Sequence, residues 1–252
     1  MKKILLGASA LVAVASITPA SAADLAARPY TKAPPMVAPV FDWSGFYIGA
    51  NGGWATQRNC WTSTTGILGP EGCSDADGGT AGGQIGYRWQ SASWVFGLEA
   101  QGNWADLRGS NGSLLFVDAF GVPLNNQSRV DAFGLFTGQV GWAFNNTLLY
   151  VKGGAAVVDD SYRIFDSTGA LVGRANDDTR WGAVVGAGLE FGFAPNWSAG
   201  VEYDHIFLGD RNVNFTDPVF GAPFGSDNIS GDVDMVTVRV NYRWGGPVIG
   251  RY

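Results

Sequence analysis

The stretch 232–244, Asp-Val-Asp-Met-Val-Thr-Val-Arg-Val-Asn-Tyr-Arg-Trp, alternates strictly. Val236, Val238, Val240, Tyr242 and Trp244 fall on one face, and Thr237, Arg239, Asn241 and Arg243 on the other. A period of two puts successive side chains on opposite faces of a strand. A soluble sheet would turn such an apolar face inward. Here the polar face carries two arginines and the apolar face ends in aromatic residues, the pattern of a strand with lipid outside and water or a polar plug inside. Whether the chain can use such a strand depends on how often the pattern recurs, because only a closed barrel serves.

It recurs over 43–57, 80–90, 93–105, 130–144, 147–158, 179–193 and 196–208, giving eight strands with 232–244. Phe46, Ile48, Ala50 and Trp54 share a face in the first, and Ile85, Tyr87 and Trp89 in the second, opposite Gln84 and Arg88. The fourth is the least regular, because Phe133 and Leu135 land on its nominal inner face. Connections alternate in length. Residues 90–93, 145–147 and 194–196 make tight turns, whereas 58–79, 106–129, 159–178 and 209–231 are long. Unstructured loops near twenty residues are rare in soluble domains, while short turns on one rim and long loops on the other characterise outer-membrane barrels. The sequence therefore predicts an all-β fold, an eight-stranded antiparallel up-and-down transmembrane β-barrel with four long extracellular loops.

Tryptophan position supports this. Trp43, Trp89, Trp94, Trp142, Trp197 and Trp244 fall at the expected periplasmic strand ends, Trp54, Trp104 and Trp181 at the extracellular ends, and Trp61 in a loop. Indole prefers the membrane interface, where its ring is apolar and its N–H finds a wet partner. The roughly ten steps from Trp94 to Trp104, at about 3.3 Å each and a tilt near about 40°, rise about 25 Å, the height of the apolar band.

Before the barrel come two segments of another kind. Lys2 and Lys3, the apolar run 4–17 and the small residues Ala20 and Ala22 read as a signal peptide, 1–22, with an uncleaved anchor as the alternative. Its removal would take two positive charges from a chain of net charge −6. Pro29, Pro34, Pro35 and Pro39 make 23–40 an extended periplasmic linker, and 41–252 is the barrel. Beyond the amino-terminal segment no apolar run is long enough for a helical span. A pI near 4.7 argues against nucleic acid as a partner.

Phe41-Asp42-Trp43-Ser44-Gly45-Phe46-Tyr47-Ile48-Gly49 after a Pro-rich start, with the ending Val240-Asn241-Tyr242-Arg243-Trp244-Gly245-Gly246-Pro247, resembles the porin-family outer-membrane immunogenic proteins of α-proteobacteria. Their barrel is similar to the OmpA-type transmembrane domain. The resemblance implies an abundant, surface-exposed protein of the bacterial outer membrane.

Little chemistry is in view. The one histidine, His205, falls on the nominal lipid face, and Phe207 stands where a His-x-Ser deacylase pair would need serine. One His and two Cys cannot make an ordinary zinc site. Gly182, Gly186 and Gly188 lack a following helix and read as inward glycines making room for larger neighbours rather than a nucleotide fingerprint. The pairs Asp159-Asp160 and Asp177-Asp178 read as solvated loop charge, with divalent-cation binding as the alternative. No cofactor is expected. Cys60 and Cys73, in the first long loop of an exported chain, predict one disulfide, the alternative being two thiols.

Arg88, Lys152, Arg239 and Arg243 point inward in this register, as do Glu99, Glu190, Glu202 and Asp204. They predict an ion-pair plug, Arg88 meeting Glu99 on the next strand, and Glu202 and Asp204 meeting Arg239 and Arg243. A thin water channel lined by separately solvated charges is the alternative. Val240, Tyr242 and Trp244 form the assembly signal. The expected partners are outer-membrane lipid, lipopolysaccharide and the barrel-assembly machinery. The expected function is envelope integrity with at most weak passive diffusion, since eight strands leave an interior that side chains fill. The alternative is an enzyme, or a ligand-binding or adhesion protein, acting through the extracellular loops.

Overall fold

The alternation of 232–244 runs through the whole computed structural model, which describes residues 41–175 and 178–244. The expected signal peptide 1–22, the linker 23–40, Asp177 and the tail 245–252 lie outside the described residues. Every regular element among the described residues is a strand: β1 Gly45–Ser63, β2 Gly69–Ser91, β3 Trp94–Val117, β4 Pro123–Phe144, β5 Thr147–Phe165, β6 Leu171–Arg174, β7 Asp178–Ala194, β8 Trp197–Thr216 and β9 Pro223–Trp244. All pairings are antiparallel. The ring runs β1, β2, β3, β4, β5, β7, β8, β9, and β9 closes on β1 with Trp244 opposite Phe46. Among the described residues there are thus nine strands rather than eight. The additional one, β6, spans 4 residues and pairs with the outer ends of β5 and β8.

The larger correction concerns the four long loops, which are mostly strand. β1 and β2 stay paired from Gly45 opposite Arg88 to Ser63 opposite Gly69. What remains of the loops at the outer rim is chiefly 64–68, 118–122, 166–170 and 217–222. The physical reason is a reversal of faces. On β9 the outward side chains are Val240, Val238 and Val236 and then Asp234 and Asp232, while the inward ones are Asn241, Arg239 and Thr237 and then Met235, Val233 and Ile229. Along β9 parity does not change; polarity does. A strand leaving lipid for water must swap its apolar face from outside to inside, because the hydrocarbon partner is now the barrel's own interior.

Three tips share one device. Asp118 accepts from the Phe120 and Val122 N–H groups, Asp166 from Thr168 and Ala170, and Asp217 from Val219 and Phe220. Each turn is completed by a glycine with positive φ, at Gly121 (77°), Gly169 (81°) and Gly221 (67°). Aspartate supplies the side-chain bond and glycine the left-handed backbone.

Val240 lies opposite Ala50 on the lipid face, midway along β9 between Trp244 and Val236, which faces Trp54. Val240→Arg is expected to cost about 2–4 kcal/mol in urea unfolding from lipid vesicles, and Trp244→Arg at the rim no more than about 1 kcal/mol. Equal costs would mean that the bilayer is not centred on Val240.

Candidate functional site

The barrel interior is stratified, and β1 shows the order. Reading outward, its inward residues are Tyr47, Asn51, Ala55, Gln57, Asn59, Trp61 and Ser63, all buried. Below them Trp43 turns into the periplasmic mouth and packs with Phe41 at a centroid distance of 4.6 Å, in a cluster with Val95, Ala143, Leu148 and Tyr150. This corrects the expected girdle position of Trp43, which is 1% exposed. It precedes β1 and has no strand position from which to face lipid. Trp54, Trp89, Trp94, Trp104, Trp142, Trp181, Trp197 and Trp244 do face outward.

Above that floor lies the charged layer. Arg239 donates to Glu99, Glu202 and the Tyr150 hydroxyl. The Lys152 ammonium stands 2.7 Å from Glu202, 3.1 Å from Asp204 and 3.8 Å from Glu99. Tyr47 donates to Glu99, and Tyr150 to Glu202. Arg88 pairs not with Glu99 next door but with Glu190 at 2.9 Å, and its guanidinium lies 4.5 Å from the Tyr47 ring centroid. The lumen is narrow enough for an arginine to reach across it, so partners are set by level rather than by strand adjacency. Arg243 also departs from expectation. It donates to the backbone carbonyls of Ser44 (2.9 Å) and Pro195 (3.2 Å), tying the periplasmic end of the barrel together. The two tyrosines were not singled out from the sequence. Each covers a facing glycine, Tyr47 over Gly86 and Tyr150 over Gly188, where a β-carbon would strike the ring. The signal was available as an inward tyrosine opposite an inward glycine.

Next come amides. Asn51 donates to Gln84, Asn103 to Asn51, and Gln101 to Asn103. Above them an apolar layer crosses the bore, built from Ala55, Leu107, Phe133, Leu135, Val158, Ile206 and their neighbours. Phe133 and Leu135, irregular when read as lipid-facing sequence, belong here. Asp160, expected as solvated loop charge, is buried and pairs with Arg180 at 3.3 Å; Arg180 also donates to the Gly209 carbonyl at 2.7 Å. Asp159 is exposed. Highest is an aromatic layer in which Trp61 stacks on Phe215 at 5.7 Å and meets Tyr162 edge-on at 5.5 Å.

Cys60 and Cys73 are directly opposite on β1 and β2 and form a disulfide, within paired strands rather than in a loop. On the outer surface His205 Nδ1 lies 2.7 Å from Asp234, with Phe207 against the ring.

At the outer end Asp227 of β9 faces Glu71 of β2. Burial first, and then the Glu71 carboxylate, push Asp227 from 3.8 up to about 7. A carboxyl raised in the folded state favours folding fully below its unfolded value, and that contribution is lost as pH rises through the folded value. Amide protection at the outer ends of β2 and β9 is therefore expected to fall between about pH 4 and about pH 8. The Asp227→Asn protein should not show the fall. Protection that is flat in the parent would contradict this.

The chain is similar to known proteins. The family described as outer membrane protein beta-barrel domain matches residues 8–244. The 31 kDa outer-membrane immunogenic protein of Brucella melitensis is 30% identical over 97% of this chain and 100% of its own length. The 22 kDa outer membrane protein of Rhizobium leguminosarum is 27% identical over 77% of each chain. Among solved structures, the outer membrane protein OprG of Pseudomonas aeruginosa is 12% identical with a TM-score of 0.46, covering 82% of this chain and 99% of its own. With a closed antiparallel ring, an apolar outer band and a family match over nearly its whole length, the chain is an outer-membrane protein and belongs to the outer membrane β-barrel domain family.

Proposed function

We propose that this outer-membrane protein is a closed barrel with a structural role in envelope integrity, passing at most a weak leak of small solutes. The observation that carries the reading is the apolar layer above the ion pairs. Leu135, Val158, Val184, Ile206, Val233 and Met235 fill the bore at that level, each no more than 1% exposed. An ion crossing it would shed its hydration with nothing to replace it. The reading is non-enzymatic. The ring contacts of His205 are a carboxylate and a phenyl ring, which orient an interfacial histidine without supplying a nucleophile. The partners on this reading are outer-membrane lipid and lipopolysaccharide, which the outward tryptophans suit. Val240, Tyr242 and Trp244, outward at the end of β9, are the face offered to the insertion machinery. Planar-bilayer recording tests the reading. Brief or very small currents are expected, and a large steady conductance from the parent protein overturns it.

A further inference from the structure

A distinct chamber lies at the extracellular end of the bore. A cavity of about 180 Å3 is walled by Phe116, Leu124, Ile164, Phe215 and Phe224. Glu71, Asp227 and Asn126 also line it, and they are 3%, 5% and 1% exposed. Glu71 accepts from Ser113 at 2.8 Å and from the Asn126 carboxamide nitrogen at 3.0 Å. That bond fixes the Asn126 amide, and its oxygen is left buried with no partner. The groups acting on Asp227 are Glu71 and Ser63, neither of them a cation. Two carboxyls and an orphaned carbonyl oxygen thus share an apolar box. A proton kept on Asp227 lets the two carboxyls share a hydrogen bond, but the Asn126 oxygen stays without a donor, and once that proton is lost the box is unfavourable unless a positive charge completes it.

We infer that the chamber binds a small organic ammonium ion, a primary amine carrying a compact apolar body. Its three N–H donors match Glu71, Asp227 and the Asn126 oxygen, and its hydrocarbon part lies against Phe116, Phe215 and Phe224, whose rings also suit a cation. A divalent metal fits poorly. It would want about six to eight oxygen ligands, the walls are hydrocarbon, and the described residues hold no group of three or more metal-ligating side chains. The apolar walls likewise disfavour a fully hydrated inorganic cation. The volume suits a single ring, since a cavity of about 150 Å3 accepts benzene. Thr65 and Gly66 of the β1–β2 tip and the half-exposed Phe224 line the chamber, so a ligand enters from outside the cell.

The test uses the full chain refolded in phosphocholine micelles, with folding of each protein checked by heat-modifiable migration. 2-Phenylethylammonium is titrated calorimetrically and compared with the neutral 2-phenylethanol. The parent is expected to bind the ammonium saturably and about tenfold or more tighter than the alcohol. The double variant Glu71→Gln, Asp227→Asn should lose that preference. Absence of saturable binding to the parent overturns the inference, as does equal affinity for the two probes, or an undiminished preference in the double variant. If the double variant does not fold, the comparison of the two probes on the parent decides alone.

Discussion

Arg239→Ala is expected to lower the unfolding free energy of the inserted barrel by about 3–5 kcal/mol, read from urea titration in lipid vesicles. The guanidinium is 1% exposed and donates to Glu99, Glu202 and Tyr150 at once. Its removal leaves Glu99, Glu202 and Asp204 sharing the single ammonium of Lys152. A buried carboxylate that loses its partner costs far more than the net worth of the pair, because the charge has nowhere to be solvated. Two companions separate this from simple loss of packing. Arg239→Lys keeps the charge but not the planar fork that bridges two carboxylates, so it should fall between parent and alanine variant. Arg239→Ala combined with Glu99→Gln and Glu202→Gln should recover more than half of the loss, although the cavity remains. A loss below about 1 kcal/mol for Arg239→Ala would place these charges in water, and the closed-lumen reading would fail with it.

How far the interior was legible in the sequence depends on which property is asked for. Parity was fully legible. Arg88, Glu99, Lys152, Glu190, Glu202, Asp204 and Arg239 fall inward and buried because each is an odd number of steps from a lipid-facing neighbour. Partner choice was not. Strand adjacency suggested Arg88 with Glu99, but the pairs form across a bore that a long side chain spans, and level along the axis is invisible without the shear of the sheet. Trp43 was misplaced because its residue type predicts an interface and its position before β1 predicts a plug; position prevailed. The outer halves of the strands were missed for one reason. Alternation was read as apolar-out, and at 55–63 and 227–235 it becomes apolar-in. Read with the sign released, Ala55, Trp61, Val233 and Ile229 continue the same inward file as Tyr47 and Arg239. The tips were passed over as loop, although Asp118-Ala119-Phe120-Gly121 and Asp166-Ser167-Thr168-Gly169 carried a turn signal.

External protease turns that correction into a decisive measurement. Were 58–79, 106–129, 159–178 and 209–231 true loops, trypsin added to intact cells would cut at Arg58, Arg108, Arg129, Arg163, Arg174 or Arg211. All six sit in paired strand instead, Arg174 at the end of β6 opposite Arg163 and Thr216, and the tips 64–68, 118–122, 166–170 and 217–222 contain no lysine or arginine. The parent is therefore expected to resist trypsin yet to be cut by chymotrypsin at Phe120 and Phe220, which are 77% and 86% exposed. Trp61→Ala should abolish the resistance. Trp61 is 1% exposed between Phe215 and Tyr162, and truncating a buried tryptophan costs about 3–5 kcal/mol. That loss falls on the part of the barrel above the bilayer. Local opening there should expose Arg58 and Arg211 to trypsin, because cleavage follows the population of the opened state. The membrane-spanning halves have their own lipid contacts and charged layer, so heat-modifiable migration of the variant should be unchanged. Rapid tryptic cutting of the parent at Arg58 would restore the loops, and a Trp61→Ala protein as resistant as the parent would show that the aromatic layer does not hold the outer barrel together.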